Sequence, residues 1–212
     1  MFVVGLLTQR VTQAQGTLTY LSNLGQPSSG SDIVGSNSWL FTTFRVGTNP
    51  NGYVLNSIQL EMTDASGTPS GFTVMLYGQA NNPFGGFIGS SLGTLSGSTN
   101  PSTAGIYTYT DDSNLILSPH ATYYIVLTAG TAVANGAYDW SLAGANSYNP
   151  SDGWNSLGGD LQTSSNGSSW SSPASYDPQY AINATAIPEP SPSWLVLLGS
   201  GIFIYVRRAF HR

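Results

Sequence analysis

The chain of 212 residues contains no cysteine and no lysine, and its five cations are all arginine. Without cysteine there is neither a disulfide framework nor a thiolate for metal binding or nucleophilic catalysis. Between residues 15 and 187 only Arg45 is cationic, against Asp32, Asp64, Asp111, Asp112, Asp139, Asp152, Asp160, Asp177 and Glu61, so one Arg faces nine carboxylates and the formal charge is −8. Such a surface repels phosphate backbones, which are bound by clustered Lys and Arg, and this excludes nucleic acid as a partner. Charged residues make up 7% of the chain, while Gly, Ser, Thr and Asn are abundant. Uncharged polar groups therefore carry most of the solvation, a composition common among extracellular β-proteins. Apolar runs are short, and both of note lie at the ends.

Residues 1–7 (Met-Phe-Val-Val-Gly-Leu-Leu) are apolar, and Thr12-Gln13-Ala14 precedes a candidate cleavage point. We read residues 1–14 as the remnant of a signal peptide whose start lies upstream, the alternative being a buried first strand. Residues 194–206 form an apolar run of thirteen followed by Arg207-Arg208. As a helix the run rises only about 20 Å against a hydrocarbon core of roughly 30 Å. Extended to 191–210, with Arg207 and Arg208 snorkelling, it is long enough to form a membrane helix. Arg207, Arg208 and Arg212 beyond it place that end on the cytoplasmic side and the preceding domain outside. A buried terminal strand is the alternative reading.

The ordered pattern Pro188-Glu189-Pro190, a Ser/Pro-rich gap, a short apolar helix with Leu197-Leu198-Gly199-Ser200-Gly201 and a terminal arginine cluster resembles the PEP-CTERM sorting signal of exopolysaccharide-producing Gram-negative bacteria. The resemblance implies recognition by a membrane-embedded exosortase, a protease or transpeptidase, with Pro188, Glu189, Pro190, Arg207 and Arg208 as the sorting residues. It also implies a precursor held transiently in the inner membrane, cut near the triplet and passed to the cell surface or extracellular matrix. Ile187 stands where the family often has Val.

Between the ends, period-two alternation punctuated by turn residues predicts strands at 17–22, 38–46, 53–62, 71–77, 91–95, 105–110, 114–117, 122–129, 136–142 and 180–186. Their number, without a helical stripe, predicts an all-β fold: two antiparallel sheets packed as a β-sandwich of jelly-roll type over residues 15–187, followed by the short hydrophobic helix within 188–212. Inward stripes are Leu55, Ile58, Leu60 and Met62; Phe72, Val74 and Leu76; and Tyr123, Ile125 and Leu127, with Trp140 and Leu142 nearby. Turns are expected at 49–52, 64–67, 81–83 and 135–136. Residues 143–179, rich in Ser, Gly and Asn, are expected to form a structured insertion or a frayed last hairpin packed on one sheet edge.

Ser38-Trp39 with Phe41-Thr42-Thr43-Phe44, residues 52–58, Phe72-Thr73-Val74 with Leu76-Tyr77, residues 91–97, Leu117-Ser118-Pro119 before Thr122-Tyr123-Tyr124, and Trp140-Ser141-Leu142 resemble a choice-of-anchor ectodomain, closest to type R. The likeness spans residues 24–186 and concerns the framework. It implies export and display and names no ligand.

Catalytic groups are sparse. His120 is the one histidine of the domain, in a turn, and no Gly-x-Ser-x-Gly elbow accompanies it. Asp111 and Asp112 are adjacent and, on a turn, are weak calcium candidates, as are Asp32, Asp64, Asp152 and Asp160; no Asp-x-Asp-x-Asp-Gly loop occurs. A glycosidase would need two carboxylates about 5–10 Å apart across a cleft. The expectation is therefore a non-enzymatic surface or matrix protein, without a cofactor, associated with exopolysaccharide. The alternative is a polysaccharide-binding module using Tyr148, Trp154, Trp170 and Tyr176, whose rings would stack on sugars if they shared an exposed face. Self-assembly through strand edges is a further option.

Overall fold

The computed structural model describes residues 16–80, 88–144, 147–157, 162–171 and 176–189. The chain divides into two units, a body at Thr17–Ile187 and a second comprising Met1–Gly16 and Pro188–Arg212. Of the second, the described residues are Gly16, Pro188 and Glu189, so the expected signal remnant at 1–14 and membrane helix at 191–210 lie outside the described residues. No helix among the described residues is long and apolar enough to cross a membrane.

The body is all-β. Its strands are β1 (Leu18–Ser22), β2 (Ser28–Val34), β3 (Trp39–Arg45), β4 (Tyr53–Gly67), β5 (Thr73–Gln79), β6 (Ile88–Thr94), β7 (Ser96–Gly97) and β8 (Gly105–Thr110). There follow β9 (Ile116–Leu117), β10 (Thr122–Thr128), β11 (Gly136–Gly144), β12 (Asn149–Pro150), β13 (Asn155–Ser156), β14 (Gln162–Ser164), β15 (Tyr176–Pro178) and β16 (Tyr180–Ala186). All pairings are antiparallel, and they build two sheets. The larger is ordered β12-β1-β16-β4-β11-β15, with β2 on β11 and with β8 and β9 on the other side of β4. The smaller is ordered β13-β3-β10-β5-β6, with β14 on β3.

The long strand β4 is the spine. Its alternating apolar residues Leu55, Ile58, Leu60 and Met62 are all buried, as are the expected stripes on β5 and β10. The step of three between Leu55 and Ile58 is a bulge: Asn183 pairs Ser57 but Ala184 pairs Leu55, leaving Asn56 as the extra residue. Side chains from both sheets meet in one core, and each fully buried Leu or Ile contributes about 1.5–3 kcal/mol.

Two expectations need correcting. Residues 64–67 are not a turn but the end of β4, because β11 continues the ladder to Gly136↔Gly67. The insertion does not pack on one edge: β12 pairs β1 of the larger sheet, while β13 and β14 pair β3 of the smaller. It therefore closes one flank of the sandwich by bonding to both sheets.

At the C-terminal end of the body, β16 lies between β1 and β4. Its last backbone groups are held by the 49–52 turn, where Ile187 N donates to Gly52 O at 3.0 Å and Asn49 Nδ2 donates to Ile187 O at 3.0 Å. Gly52 has φ 80°, and a Cβ there would lie 2.5 Å from Leu117 O, so the turn requires glycine.

Candidate functional site

The four aromatics of the insertion do not form a platform. Trp154 follows Asp152 (φ 48°) and Gly153 (φ 76°), whose left-handed backbone returns Trp154 N to Ser151 O at 2.8 Å and turns the indole inward. Only 2% exposed, the indole stacks on Tyr20 of β1 (5.2 Å, 20°) and on Phe44 of β3 (5.9 Å, 11°), and meets Tyr53 edge-on (5.0 Å, 74°). It is a plug between the sheets, which removes it from a sugar-stacking role. Its Nε1 is buried without a hydrogen-bond partner, and Gly47 beneath leaves room for the ring.

Tyr148 is half-buried against Tyr180, and its hydroxyl donates to Pro178 O at 2.7 Å. Burial pushes that phenol well up, with Tyr180 and Asp177 adding to the shift. Trp170 lies on the outer face of the smaller sheet, edge-on to Phe41 at 4.5 Å, where Phe41, Tyr124 and Val126 form a second small core with Trp39, Met75 and Tyr77 around it. Tyr176 starts β15, paired with Gly144, and is 51% exposed. Two of the four thus pack in the main core, one covers an outer face and one marks a strand. The pairing of β12, β13 and β14 dictates this distribution. The uninterrupted apolar stretch Tyr123-Tyr124-Ile125-Val126-Leu127 was the available sequence signal that β10 is covered on both faces.

The carboxylates serve loops. Asp111 Oδ1 accepts from Ser113 N (3.1 Å) and Ser113 Oγ (2.6 Å), and its Oδ2 from Leu115 N. Asp112 accepts from Ser96 Oγ and Thr110 Oγ1, and Asp64 Oδ1 accepts from Ala104 N at 2.8 Å. These bonds engage the carboxyl oxygens of Asp64, Asp111 and Asp112, three of the residues offered as calcium ligands, and among the described residues no group of three or more His, Asp or Glu could hold a metal ion. Asp160 lies outside the described residues. Asp32 and Asp139 stand on the paired strands β2 and β11, and both carboxyls are raised, chiefly by burial; Asp32 adds to the shift of Asp139. His120 is exposed with φ 57°, and the turn uses its backbone: N donates to Gly47 O (3.2 Å) and O accepts from Arg45 Nε (3.1 Å).

A buried polar cluster not foreseen from the sequence lies where β11 and β16 diverge. Gln179 O accepts from Glu61 N (3.1 Å) and Trp140 Nε1 (3.0 Å), and its Oε1 from Ser141 Oγ (2.5 Å). Asn23 beside it donates to Ser147 Oγ and Pro178 O and accepts from Tyr180 N. Satisfied on both backbone and side chain, this cluster ties the first strand to the last in a chain without disulfides.

The edge strand β6 carries no charge, yet its ladder with β5 is interrupted by two register shifts. Such bulges twist an edge away from regular strand addition. Of the sorting residues, Pro188 and Glu189 are exposed, whereas Pro190, Arg207 and Arg208 lie outside the described residues. Set against descriptions of known protein families, curated proteins and solved structures, the chain gives no match.

Proposed function

We propose that the chain is a non-enzymatic exported protein of the cell surface or extracellular matrix of a Gram-negative bacterium, sorted by an exosortase acting on its C-terminal segment and associated with exopolysaccharide. The observation carrying this reading is the order of the terminal parts: Pro188-Glu189-Pro190, the apolar run 194–206, then Arg207-Arg208. The cation-poor body and the loop-capping use of Asp111 and Asp112 support it. So does the closure of β16 by Asn49 and Gly52, which anchors the end of the body at Ile187, just before the Pro188-Glu189-Pro190 triplet. We read the sandwich as a jelly-roll variant, supported by consecutive strands that alternate between sheets, as β3, β4 and β5 do and again β9, β10 and β11.

The test is expression in a bacterium with its exosortase present or deleted, followed by intact mass of the protein. A product ending near residues 188–190 outside the inner membrane, and an uncut membrane form in the deletion, are expected. Intact residues 188–212 on soluble cytosolic protein in both strains would refute the reading.

A further inference from the structure

On the outer face of the larger sheet, one row of uncharged side chains crosses four neighbouring strands. Thr19 Oγ1 on β1 donates to Asn183 Oδ1 on β16 at 2.6 Å. Asn183 Nδ2 donates to Ser57 Oγ (3.1 Å) and Gln59 Oε1 (3.3 Å) on β4. Gln59 Nε2 in turn donates to Thr108 Oγ1 (3.4 Å) on β8. A parallel bond joins Thr185 Oγ1 to Asn56 Oδ1 at 2.9 Å. With strands about 4.8 Å apart, the row is roughly 14 Å long.

Thr19 and Thr108 are exposed, and Asn183, Ser57 and Gln59 half-buried. The bonds within the row hold the amides in one orientation while leaving capacity unused. Both Asn183 N–H groups are engaged, but the second Gln59 N–H, the Ser57 and Thr108 hydroxyl protons, and one lone pair on each amide oxygen remain. Ile106, two residues before Thr108 and 53% exposed, adds an apolar patch at the β8 end. Carboxylates flank the row at its margins: Glu61 on β4, whose Oε2 accepts from Gly25 N at 3.3 Å, and Asp112, which accepts from Thr110 Oγ1 opposite Ser57.

We propose that this face binds an uncharged polysaccharide laid across β1, β16, β4 and β8. Sugar hydroxyls both donate and accept, which matches a row that offers both and carries no charge. A polyanion would find no cation in the row and would be repelled by the acidic body, with Glu61 and Asp112 at the margins of the row. Orientation fixed before binding lowers the ordering cost of contact. The inference builds on the proposed role outside the cell, and supplies the chemistry by which the body would hold a matrix.

The test is affinity electrophoresis of the purified full chain in mild detergent, through native gels containing dextran, laminarin or hydroxyethylcellulose, with alginate as the polyanion. Because no sorting step is involved, failure here is distinct from failure of the exosortase reading. Retardation by at least one neutral polymer and not by alginate is expected. Gln59→Ala and Thr108→Ala should each weaken it about fivefold, and Tyr176→Ser should leave it unchanged. The exposed Thr108 position keeps the comparison valid should Gln59→Ala disturb the sheet. No retardation by any neutral polymer, equal retardation of the Thr108→Ala protein, or loss in Tyr176→Ser would each overturn the proposal.

Discussion

Replacing Trp154 tests whether the insertion closes the flank as an energetic plug. The indole spans the space between β1 and β3, stacked on Tyr20 and Phe44 with Tyr53 at its edge. Trp154→Ala removes a fully buried large ring and its aromatic contacts, a change that costs about 3–5 kcal/mol. A domain's total stability is only about 5–15 kcal/mol, so the variant should unfold at markedly lower denaturant. Trp154→Phe should cost less than half as much, because it retains a ring against Tyr20 and Phe44. It also deletes the Nε1–H that is buried without a partner, a group whose desolvation costs about 1–3 kcal/mol. Gly47→Ala should resemble Trp154→Ala, since its Cβ would stand 2.5 Å from Trp154 Cδ1 and close to the backbone oxygen of Asp152. Equilibrium urea unfolding followed by far-ultraviolet circular dichroism measures all three. A loss below about 1 kcal/mol on Trp154→Ala would show that the flank does not depend on the ring. Equal losses for the Phe and Ala variants would show that the indole N–H is satisfied.

Three further perturbations address other parts of the molecule. Asp32 and Asp139 have carboxyls raised above their ordinary 3.8, so burial disfavours their charged forms in the folded state. Their cost is present above the raised folded values and disappears as pH falls below the ordinary one; Asp139→Asn should stabilise the fold at pH 7 by less than about 1 kcal/mol for such a solvent-screened site, read as a higher thermal midpoint, and have no effect near pH 3. An unchanged midpoint at pH 7 would contradict this. Asp111→Ala removes the acceptor that caps Ser113 and Leu115 and should cost about 1–2 kcal/mol, whereas a chelator should leave the thermal midpoint unmoved; chelator sensitivity would favour calcium at these carboxylates instead. A chain ending at Glu189 should melt within about 2 °C of the full chain, while Asn49→Ala, which frees Ile187 O, should melt several degrees lower in both, measured by calorimetry.

The framework strands were legible because their partners impose alternation on the sequence. Residues 105–110 and 180–186 begin and end where period two begins and ends, and the stripes of β4, β5 and β10 are buried as expected. Strand β2 is hidden in the sequence, since Ser28-Ser29-Gly30-Ser31-Asp32 has the composition of a loop. It is a strand because β11 offers it a free edge from Tyr138 to Ala143. The short strands of the insertion had no periodicity to read, and β12, β13 and β14 take their places on edges of β1 and β3 far earlier in the chain.

Composition and local pattern alone determined the class of the body, its acidity, the absence of thiol chemistry and the ordered parts of the C-terminal segment, since each depends on residue identity or on neighbours a few positions away. Tertiary pairing decided where the aromatics and the amides stand. Trp154 is a plug and not a sugar platform because β12 and β13 bond to opposite sheets. Thr19, Ser57, Gln59, Thr108 and Asn183 become one surface because β1, β16, β4 and β8 lie side by side. Contacts across so many residues of sequence arise from the order of strands in a sheet, which no local window of the chain contains.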